Sequence, residues 1–400
     1  MKPWKKNLWI CWFGSFVTMT GLSQITPVLP LYIEQLGITN VSAVEQWSGI
    51  AFGITFVASA IFSPIWGRMA DQYGRRPMLL RASLGMAIVI SLMGLVNNVY
   101  QLVALRLFMG FISGYVSAAI TLVATQTPRE YSGLALGTLS TGAAAGSLLG
   151  PLFGGYLTEI MGIRAVFFAI GALLLFTFVA TYLLVQEAFT CSLQKPLSFQ
   201  EIWQSIADRK SIMAMFMTTF VLQLALMSIE PIITVYIKQL SSHMHYIAFI
   251  SGVAFSAPGI SSILASPRLG KLADRIGPRK VILWSLIAAG VLFIPQAFVG
   301  SPWELVMLRF LLGIATAGLL PAVNSLLNKN VPATVTGRIF GYNQSAQFLG
   351  TFGGAILGGQ MAAFFGIAYV FFATSILLLF NALWVYTQVK PNGTVAKDMF

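Results

Sequence analysis

The sequence contains very little charge. Asp, Glu, Lys and Arg make up 9% of its 400 residues, whereas hydrophobic residues make up 57%. Soluble domains carry about 25% charged residues, and so few charges cannot cover the surface of a soluble protein of this size. Apolar runs of about 20 residues, enough to cross a bilayer as helices, follow one another almost without pause. The sequence therefore predicts an all-α membrane protein embedded in a lipid bilayer.

Cysteine and histidine are scarce. Two cysteines (Cys11, Cys191) differ too much in their surroundings to suggest a disulfide, and two histidines (His243, His245) are too few to complete a metal site. No P-loop is present, which excludes ATP as an energy source. No nucleophile or pair of acids lies within a span to support a membrane enzyme. We predict no metal and no cofactor.

Acidic residues are outnumbered two to one, 12 against 24 basic residues. With the N-terminus inside the cell, twenty basic residues fall in cytoplasmic segments, two outside (Arg164, Lys238) and two within spans (Arg106, Arg309). This positive-inside asymmetry predicts that both termini are cytoplasmic and that the charge is topological, not a nucleic-acid-binding patch. The twelve predicted spans are approximately 8–36, 47–66, 78–96, 101–123, 134–159, 164–186, 212–240, 246–266, 279–299, 302–327, 338–364 and 367–389.

One pattern occurs twice, 203 residues apart. The sequence GRMADQYGRR at 67–76 recurs as GKLADRIGPR at 270–279, and the same offset relates Arg106 to Arg309. A long polar stretch lies between the two groups of six spans. We therefore predict a duplicated unit, with a six-helix half at 1–186, a cytoplasmic linker at 187–211 and a second six-helix half at 212–400. In large transporter folds of this kind, the substrate site lies between the repeats near the bilayer midplane.

The repeated loops are candidate gates on the cytoplasmic side. The aspartate of each loop would lie near the membrane surface, where the positive N-terminus of another span, such as the one beginning around Thr336, can face it. That contact would hold the cytoplasmic side closed. The alternative is a solvated basic loop. The candidate residues are Gly67, Asp71, Gly74, Arg75 and Arg76, then Gly270, Asp274 and Gly277.

An arginine lies inside the fourth span of each half. A charge there is costly in lipid, so Arg106 and Arg309 should face the protein interior and have partners. After Arg106, small and polar residues follow at helical spacing and predict one continuous face of the helix. A strut between helices is the simplest role for such an arginine. The residues of that face are Gly110, Ser113, Ser117 and Thr121.

The fifth span contains a GxxxGPxxGG pattern. Its glycines at four-residue spacing make a flat face for close helix packing, and its proline removes a helix hydrogen bond and bends the span. Span 11 has glycines but no proline. Packing alone would explain the glycines. The pattern consists of Gly146, Gly150, Pro151, Gly154 and Gly155.

Glu230 is the only acidic residue that we place deep in a span. Burial disfavours the charged form of a lone carboxylate, which favours proton exchange. It could carry the proton or oppose a cationic substrate, and a local hydrogen bond or an ion pair with an arginine is the alternative. With Glu230, the candidates for a polar substrate cavity are Gln24, Gln223, Asn324, Asn343 and Gln347.

These motifs, with ALGTLSTG at 135–142 and GRIFGYNQS at 337–345, resemble the major facilitator superfamily over nearly the whole chain. Within it, the chain is similar to the twelve-span drug:proton antiporters, and most similar to bacterial multidrug exporters of the MdtG/PmrA type. The resemblance implies two six-helix halves in a bacterial inner membrane. It also implies a gating role for the Asp71 loop and export signalled by the fifth-span pattern. For Arg106 and Arg309 it implies a role in proton coupling, with an interhelical strut as the alternative.

The function implied is proton-coupled efflux of small lipophilic or amphipathic drugs by alternating access. Two alternatives remain open from the residues: an exporter of one endogenous metabolite or sugar, and a membrane receptor or scaffold without transport activity. An exporter with narrow specificity would require more fixed polar groups than the cavity candidates supply. A receptor or scaffold does not alternate between two conformations, so it would need no gating loops. Because the pathway lies inside one chain, we expect a functional monomer.

Overall fold

The computed structural model describes residues 3–189, 203, 206, 208–240, 246–331 and 336–389, and within these ranges it contains helices and no strand. The helices group into two compact units. The first consists of Met1–Gln194, Ile233–Lys238 and His243–Ser256, and the second of Lys195–Ile232, Gln239–Ser242 and Ala257–Phe400. Two short segments from the second half of the sequence therefore group with the first unit. The predicted boundaries at 186 and 212 stay a prediction.

In the described part of the first half there are eight α-helices and one short 3-10 helix. Two predicted spans consist of two helices each, because the chain breaks at Gln24 and again at Ser113–Gly114. The helices are α1 (Pro3–Ser23), α2 (Ile25–Gln35), α3 (Val41–Tyr73), α4 (Arg75–Met93), α5 (Val99–Ile112), α6 (Tyr115–Gln126), α7 (Ser132–Met161) and α8 (Ile163–Leu184), with the 3-10 turn Arg129–Tyr131 before α7.

The second half repeats this order. A 3-10 turn, Glu230–Ile232, interrupts its first span at the place where Gln24 interrupts the first span of the chain. The helices are α9 (Arg209–Ile229), α10 (Ile233–Leu240), α11 (Ile247–Ile276), α12 (Pro278–Gln296), α13 (Pro302–Thr316), α14 (Leu319–Asn330), α15 (Thr336–Phe365) and α16 (Ile367–Gln388).

Among the described residues, eleven helical segments are long and apolar enough to cross a membrane. The remaining predicted span, 134–159, falls on α7, which has 30 residues and is rich in glycine. The prediction of an all-α membrane protein is therefore confirmed.

The break in the fourth span corrects one sequence prediction. α5 ends at Ile112, and Gly114 has φ +127°, a conformation that side chains other than hydrogen rarely allow. The helical register changes at that point. Ser113 therefore lies with Gly110 against α3, whereas Ser117 is exposed on α6. The expected continuous face from Gly110 to Thr121 does not form.

The glycine pattern packs α7 against α1. A side chain at Gly146, Gly150 or Gly154 would overlap the backbone of the first span, at Phe16 and Thr20 of α1 and at Gln24 just after it. In the second unit, Gly350, Gly354 and Gly358 bring α15 onto the backbone of α9 at Phe220, Leu224 and Ser228. Every member of the second set lies 204 residues after its counterpart. The packing of the first and fifth spans is thus duplicated, although Pro151 is not.

Candidate functional site

The loop at 67–76 is a sharp turn between two helices. α3 ends at Tyr73, Gly74 adopts φ +93°, and α4 begins at Arg75. The carboxylate of Glu187 accepts hydrogen bonds from the backbone N–H groups of Arg75 (2.8 and 2.9 Å) and Arg76 (2.7 Å). A negative charge at the first N–H groups of a helix satisfies donors that have no partner in the helix and complements the helix dipole. Glu187, which the sequence analysis placed in the linker, caps α4.

The arginines of the two loops bind the ends of neighbouring helices. Arg76 donates from Nη2 to the carbonyl oxygen of Tyr182 in α8 at 2.7 Å, and Arg279 donates to that of Tyr386 in α16 at 2.6 Å. Each guanidinium also lies beside the tyrosine ring, at 5.9 and 5.3 Å from its centroid. A cation at the C-terminal end of a helix is favourable because unpaired carbonyls point there. The basic run of the repeated loop therefore fastens helices within each unit.

None of these contacts involves the aspartates of the two loops, on which the predicted gate depends. The side chains of Asp71 and Asp274 lie outside the described part of the structure, although their backbones belong to α3 and α11. Gly67 and Gly270 are inside the same helices, and among the described residues no neighbouring helix lies within 4 Å of where a side chain would begin. Gly277 adopts φ +90° before α12, as Gly74 does before α4. The gating role of these loops stays a prediction.

Arg106 is buried, with 3% of its surface exposed. Its Nε donates to the carbonyl oxygen of Ala51 at 2.9 Å, and its guanidinium lies 5.9 Å from the ring of Phe52. Thr55 donates in turn to the carbonyl oxygen of Arg106 at 2.9 Å. No carboxylate is paired with Arg106 within the described residues. The arginine faces α3, in the interior of the first unit.

Glu230 and Arg309, which the sequence analysis singled out separately, form one ion pair. Arg309 Nη2 lies 2.9 Å from Glu230 Oε1, and the exposed fractions of the two side chains are 3% and 18%. Glu230 sits in the turn between α9 and α10, immediately before Pro231. The ion pair that we considered as an alternative for this carboxylate is therefore present. A pair of opposite charges removed from water in this way is held together strongly only while both partners remain charged.

The candidate cavity residues occupy both units. Gln24 is buried at the break between α1 and α2, and its Nε2 has no hydrogen-bond partner. In the second unit, Asn343 is buried with Oδ1 unpaired, and Gln347 accepts a hydrogen bond from Gln344 at 3.2 Å. The other two, Gln223 and Asn324, are half-buried. The substrate cavity stays a prediction.

Sequence reasoning missed a polar cluster at the opposite end of the first unit from the Gly74 turn. Lys238 of α10 forms an ion pair with Glu34 of α2, with Nζ–Oε distances of 2.7 and 2.8 Å. Nearby, Glu159 of α7 accepts a hydrogen bond from the N–H of Ala248, in the first turn of α11, at 2.9 Å. Glu34 and Lys238 are 204 residues apart. Opposite charges at equivalent repeat positions were the signal that could have found this pair.

The family follows from comparison with known proteins. Residues 11–262 and 215–398 each match the family described as Major Facilitator Superfamily, and together the two matches cover nearly the whole chain. The chain belongs to the Major Facilitator Superfamily. The resemblance inferred from the motifs is confirmed.

Curated relatives of this superfamily member are similar over almost their full length. The chain is 46% identical over 392 residues to the "Multidrug resistance protein MdtG" of Serratia proteamaculans, covering 97% of this chain and 95% of the relative. It is 47% identical over 388 residues to the protein of the same name from Citrobacter koseri, covering 97% and 96%.

Solved structures of other transporters share the fold. A bacterial homologue of the human lysosomal transporter Spinster aligns with a TM-score of 0.79 at 14% identity, covering 100% of this chain and 98% of that one. The human organic anion transporter MFSD10 aligns with a TM-score of 0.69 at 17% identity, covering 96% and 100%. The family match and the curated relatives together show a multi-pass membrane transporter of the Major Facilitator Superfamily rather than an enzyme.

Proposed function

We propose that the protein exports lipophilic or amphipathic drugs in exchange for protons. The observation that carries the coupling is the buried pair of Glu230 and Arg309. A carboxylate in the apolar interior stays charged because an arginine lies 2.9 Å away, so any cation or proton that reaches it competes with that arginine. The names of the relatives, which describe multidrug resistance, support drugs as the substrate class.

The pair gives a physical basis for exchange. Protonation of Glu230 adds one proton to the carboxylate, removes its charge and frees the guanidinium of Arg309 from its 2.9 Å contact. A cationic drug bound beside the deprotonated carboxylate would be expelled when the proton arrives, because its counter-charge is lost. Drug and proton then bind in alternation, which is the requirement for antiport.

The proposed orientation places the Gly74 and Gly277 turns in the cytoplasm. The Glu34–Lys238 pair and the Glu159–Ala248 contact then lie at the outer side, where they hold α2 to α10 and α7 to α11. Alternating access requires these outer contacts to break when the outside opens, and the loops containing Asp71 and Asp274 to close the inside at the same stage. An exposed ion pair is suited to this role because it contributes only about 0–1 kcal/mol and breaks readily.

The experiment is dye efflux from energised bacteria that lack their own efflux pumps and express the wild type, Asp71→Asn, Glu230→Gln or the control Glu304→Gln. Glu304 is an exposed acid that caps the turn before α13. We expect efflux by the wild type and the control, abolished by a protonophore, and little efflux by the other two variants. Efflux unaffected by the protonophore would overturn proton coupling. A wild type that moves no lipophilic dye would favour a metabolite exporter.

A further inference from the structure

A second buried carboxylate, Glu45, lies in the first unit. It belongs to the second turn of α3 and is 3% exposed. The sequence analysis began this span at residue 47 and therefore left Glu45 in a loop. The structure begins the helix at Val41, with Asn40 accepting a hydrogen bond from Ala43 N as its cap, which carries Glu45 into the segment apolar enough to cross a membrane.

Glu45 has no ion pair or hydrogen bond to any described residue. Glu230 and Glu34, whose side chains are 18% and 28% exposed, are paired with Arg309 and Lys238 respectively. An ionised carboxylate without a counter-charge is costly in an apolar interior, whereas the protonated form is not. The burial of Glu45 is therefore compatible with a neutral acid that releases its proton only when its surroundings change.

Polar groups follow Glu45 along one face of α3. Ser48, one turn later, is fully buried, and no described residue forms a hydrogen bond with its hydroxyl. Two further turns on, Thr55 donates to the carbonyl oxygen of Arg106. Ser59 then lies 3.0 Å from the hydroxyl of Ser113. Positions 45, 48, 55 and 59 are separated by about one, two and one turns of helix. The four side chains therefore lie along one face over about 21 Å.

The row of polar groups on α3 is bordered by two arginines. Arg81 of α4 donates from Nη2 to the carbonyl oxygen of Ser113 at 3.1 Å. Arg106, between the two ends, binds the carbonyl oxygen of Ala51, six residues after Glu45. Polar side chains and two cations thus line the contact of α3 with α5, from the end that carries Glu45 towards the end that carries the Gly74 turn.

The charged and titratable groups on the elements packed against α3 are engaged elsewhere. The cations are Arg106 on α5 and Arg75, Arg76 and Arg81 on α4. The guanidinium groups of Arg106, Arg81 and Arg76 each donate to a backbone carbonyl, and Arg75 lies over the ring of Phe189. Tyr100 of α5 packs its ring against that of Trp47. On α2, Tyr32 donates to the carbonyl oxygen of Met93 at 2.6 Å and Glu34 pairs with Lys238. Within the described residues, none of them neutralises Glu45.

We propose that Glu45 is a second proton-binding group of the transporter, located in the first unit, which takes up a proton from one side of the membrane and releases it during the transport cycle. Ser48 and the row behind it provide the polar surroundings in which the charged form can exist transiently, with Arg106 as its nearest cation along the row. The proposal rests on the proposed proton-coupled function, and it adds a site that Glu230 alone does not supply.

The test compares the wild type with Glu45→Gln, Glu45→Asp and the control Glu304→Gln in inverted membrane vesicles. Glu304 is exposed and accepts from Gly300 N, as Gln101, its repeat equivalent, accepts from Asn97 N, so a glutamine can make the same contact. We expect Glu45→Gln to bind dye as the wild type does but to lose at least about tenfold in gradient-driven uptake, equal to about 1.4 kcal/mol. Glu45→Asp should retain coupling with an altered pH profile.

A second measurement uses the unmodified protein. A hydrophobic carbodiimide reacts with protonated carboxyl groups within the membrane, and mass spectrometry locates the adduct. We expect labelling of Glu45 that declines as the pH rises, and no labelling of the exposed Glu304. This readout remains available if Glu45→Gln does not fold.

The outcomes separate the two proposals. Wild-type uptake driven by the gradient, together with unimpaired uptake by Glu45→Gln, would overturn the role of Glu45 and leave the proposed function standing. The absence of carbodiimide labelling at every pH would do the same. Wild-type uptake that ignores the gradient would overturn the proposed function, and with it coupling through Glu45.

Discussion

The ion pair between Glu230 and Arg309 makes a quantitative prediction about stability. Glu230→Gln keeps the shape of the side chain but removes the negative charge 2.9 Å from Arg309, which is 3% exposed. Breaking a buried pair by removing one partner costs about 3–5 kcal/mol, whereas replacing both partners with neutral groups is often close to neutral. We therefore expect Glu230→Gln and Arg309→Leu each to destabilise the second unit strongly, and the double variant to recover most of the loss.

The assay is thermal unfolding in detergent, followed with a thiol-reactive fluorophore. The two native cysteines are replaced, and Ser375→Cys places one buried thiol on α16 of the second unit. Each kcal/mol lowers the melting temperature of a 150–250-residue unit by about 2–4 °C, so each single variant should melt roughly 6–20 °C lower. The double variant should melt within about 5 °C of the parent, if neutral replacement costs about 1 kcal/mol.

The matched control is Glu304→Gln. Glu304 is an exposed acid on α13, the same helix that carries Arg309. This substitution should change the melting temperature by less than about 2 °C, because substitutions at exposed positions usually cost under about 0.5 kcal/mol. A double variant that loses the sum of the two single losses would refute the reasoning, since the two side chains would then act independently. A single variant as stable as the parent would refute it equally.

Three further predictions follow from other contacts. Gly150→Leu should abolish folded protein in a fluorescence-detected size-exclusion assay, because its side chain would overlap α1, whereas Gly137→Leu, on the exposed face of the same helix, should not. Glu34→Lys should lower dye efflux a few-fold through repulsion of Lys238, and the exchanged pair Glu34→Lys with Lys238→Glu should restore it; no recovery would show that the pair does not act as a latch. Glu187→Ala should cost about 1–2 kcal/mol of stability, measured by thermal unfolding, because α4 loses its cap.

The helices and their order were predictable because a segment that crosses a membrane has few secondary structures open to it. A backbone crossing lipid must satisfy its own hydrogen bonds, so each apolar run of sufficient length becomes a helix. The glycine pattern at 146–154 likewise predicted close packing, and α7 does lie against the backbone of α1. The offset of the repeat also predicted that Arg106 and Arg309 occupy equivalent helices, α5 and α13.

Side-chain partners were less predictable, because they depend on residues far apart in sequence. Glu230 and Arg309 are separated by 79 positions, and only the fold shows that they meet. Glu187 looked like part of a polar linker until its carboxylate was found on α4. Glu45 was missed for a different reason: hydropathy locates the apolar middle of a helix but not its first turns, so an acid near the end is assigned to the loop.

The duplicated scaffold is used differently by its two halves. Offsets of 203 and 204 relate the loops, the arginines and the glycine contacts, yet the buried acids do not correspond: the repeat equivalent of Glu45 is Ala248, and that of Glu230 is Thr26. In the second unit the acid lies beside its arginine, so its charged form is stabilised in the structure described here. In the first unit no described arginine pairs with Glu45, and its burial disfavours the charged form. Glu230 and Glu45 thus prefer opposite protonation states in one conformation, and each preference can reverse when the conformation changes. In this way a duplicated fold with unequal acids can couple proton movement to the change of conformation.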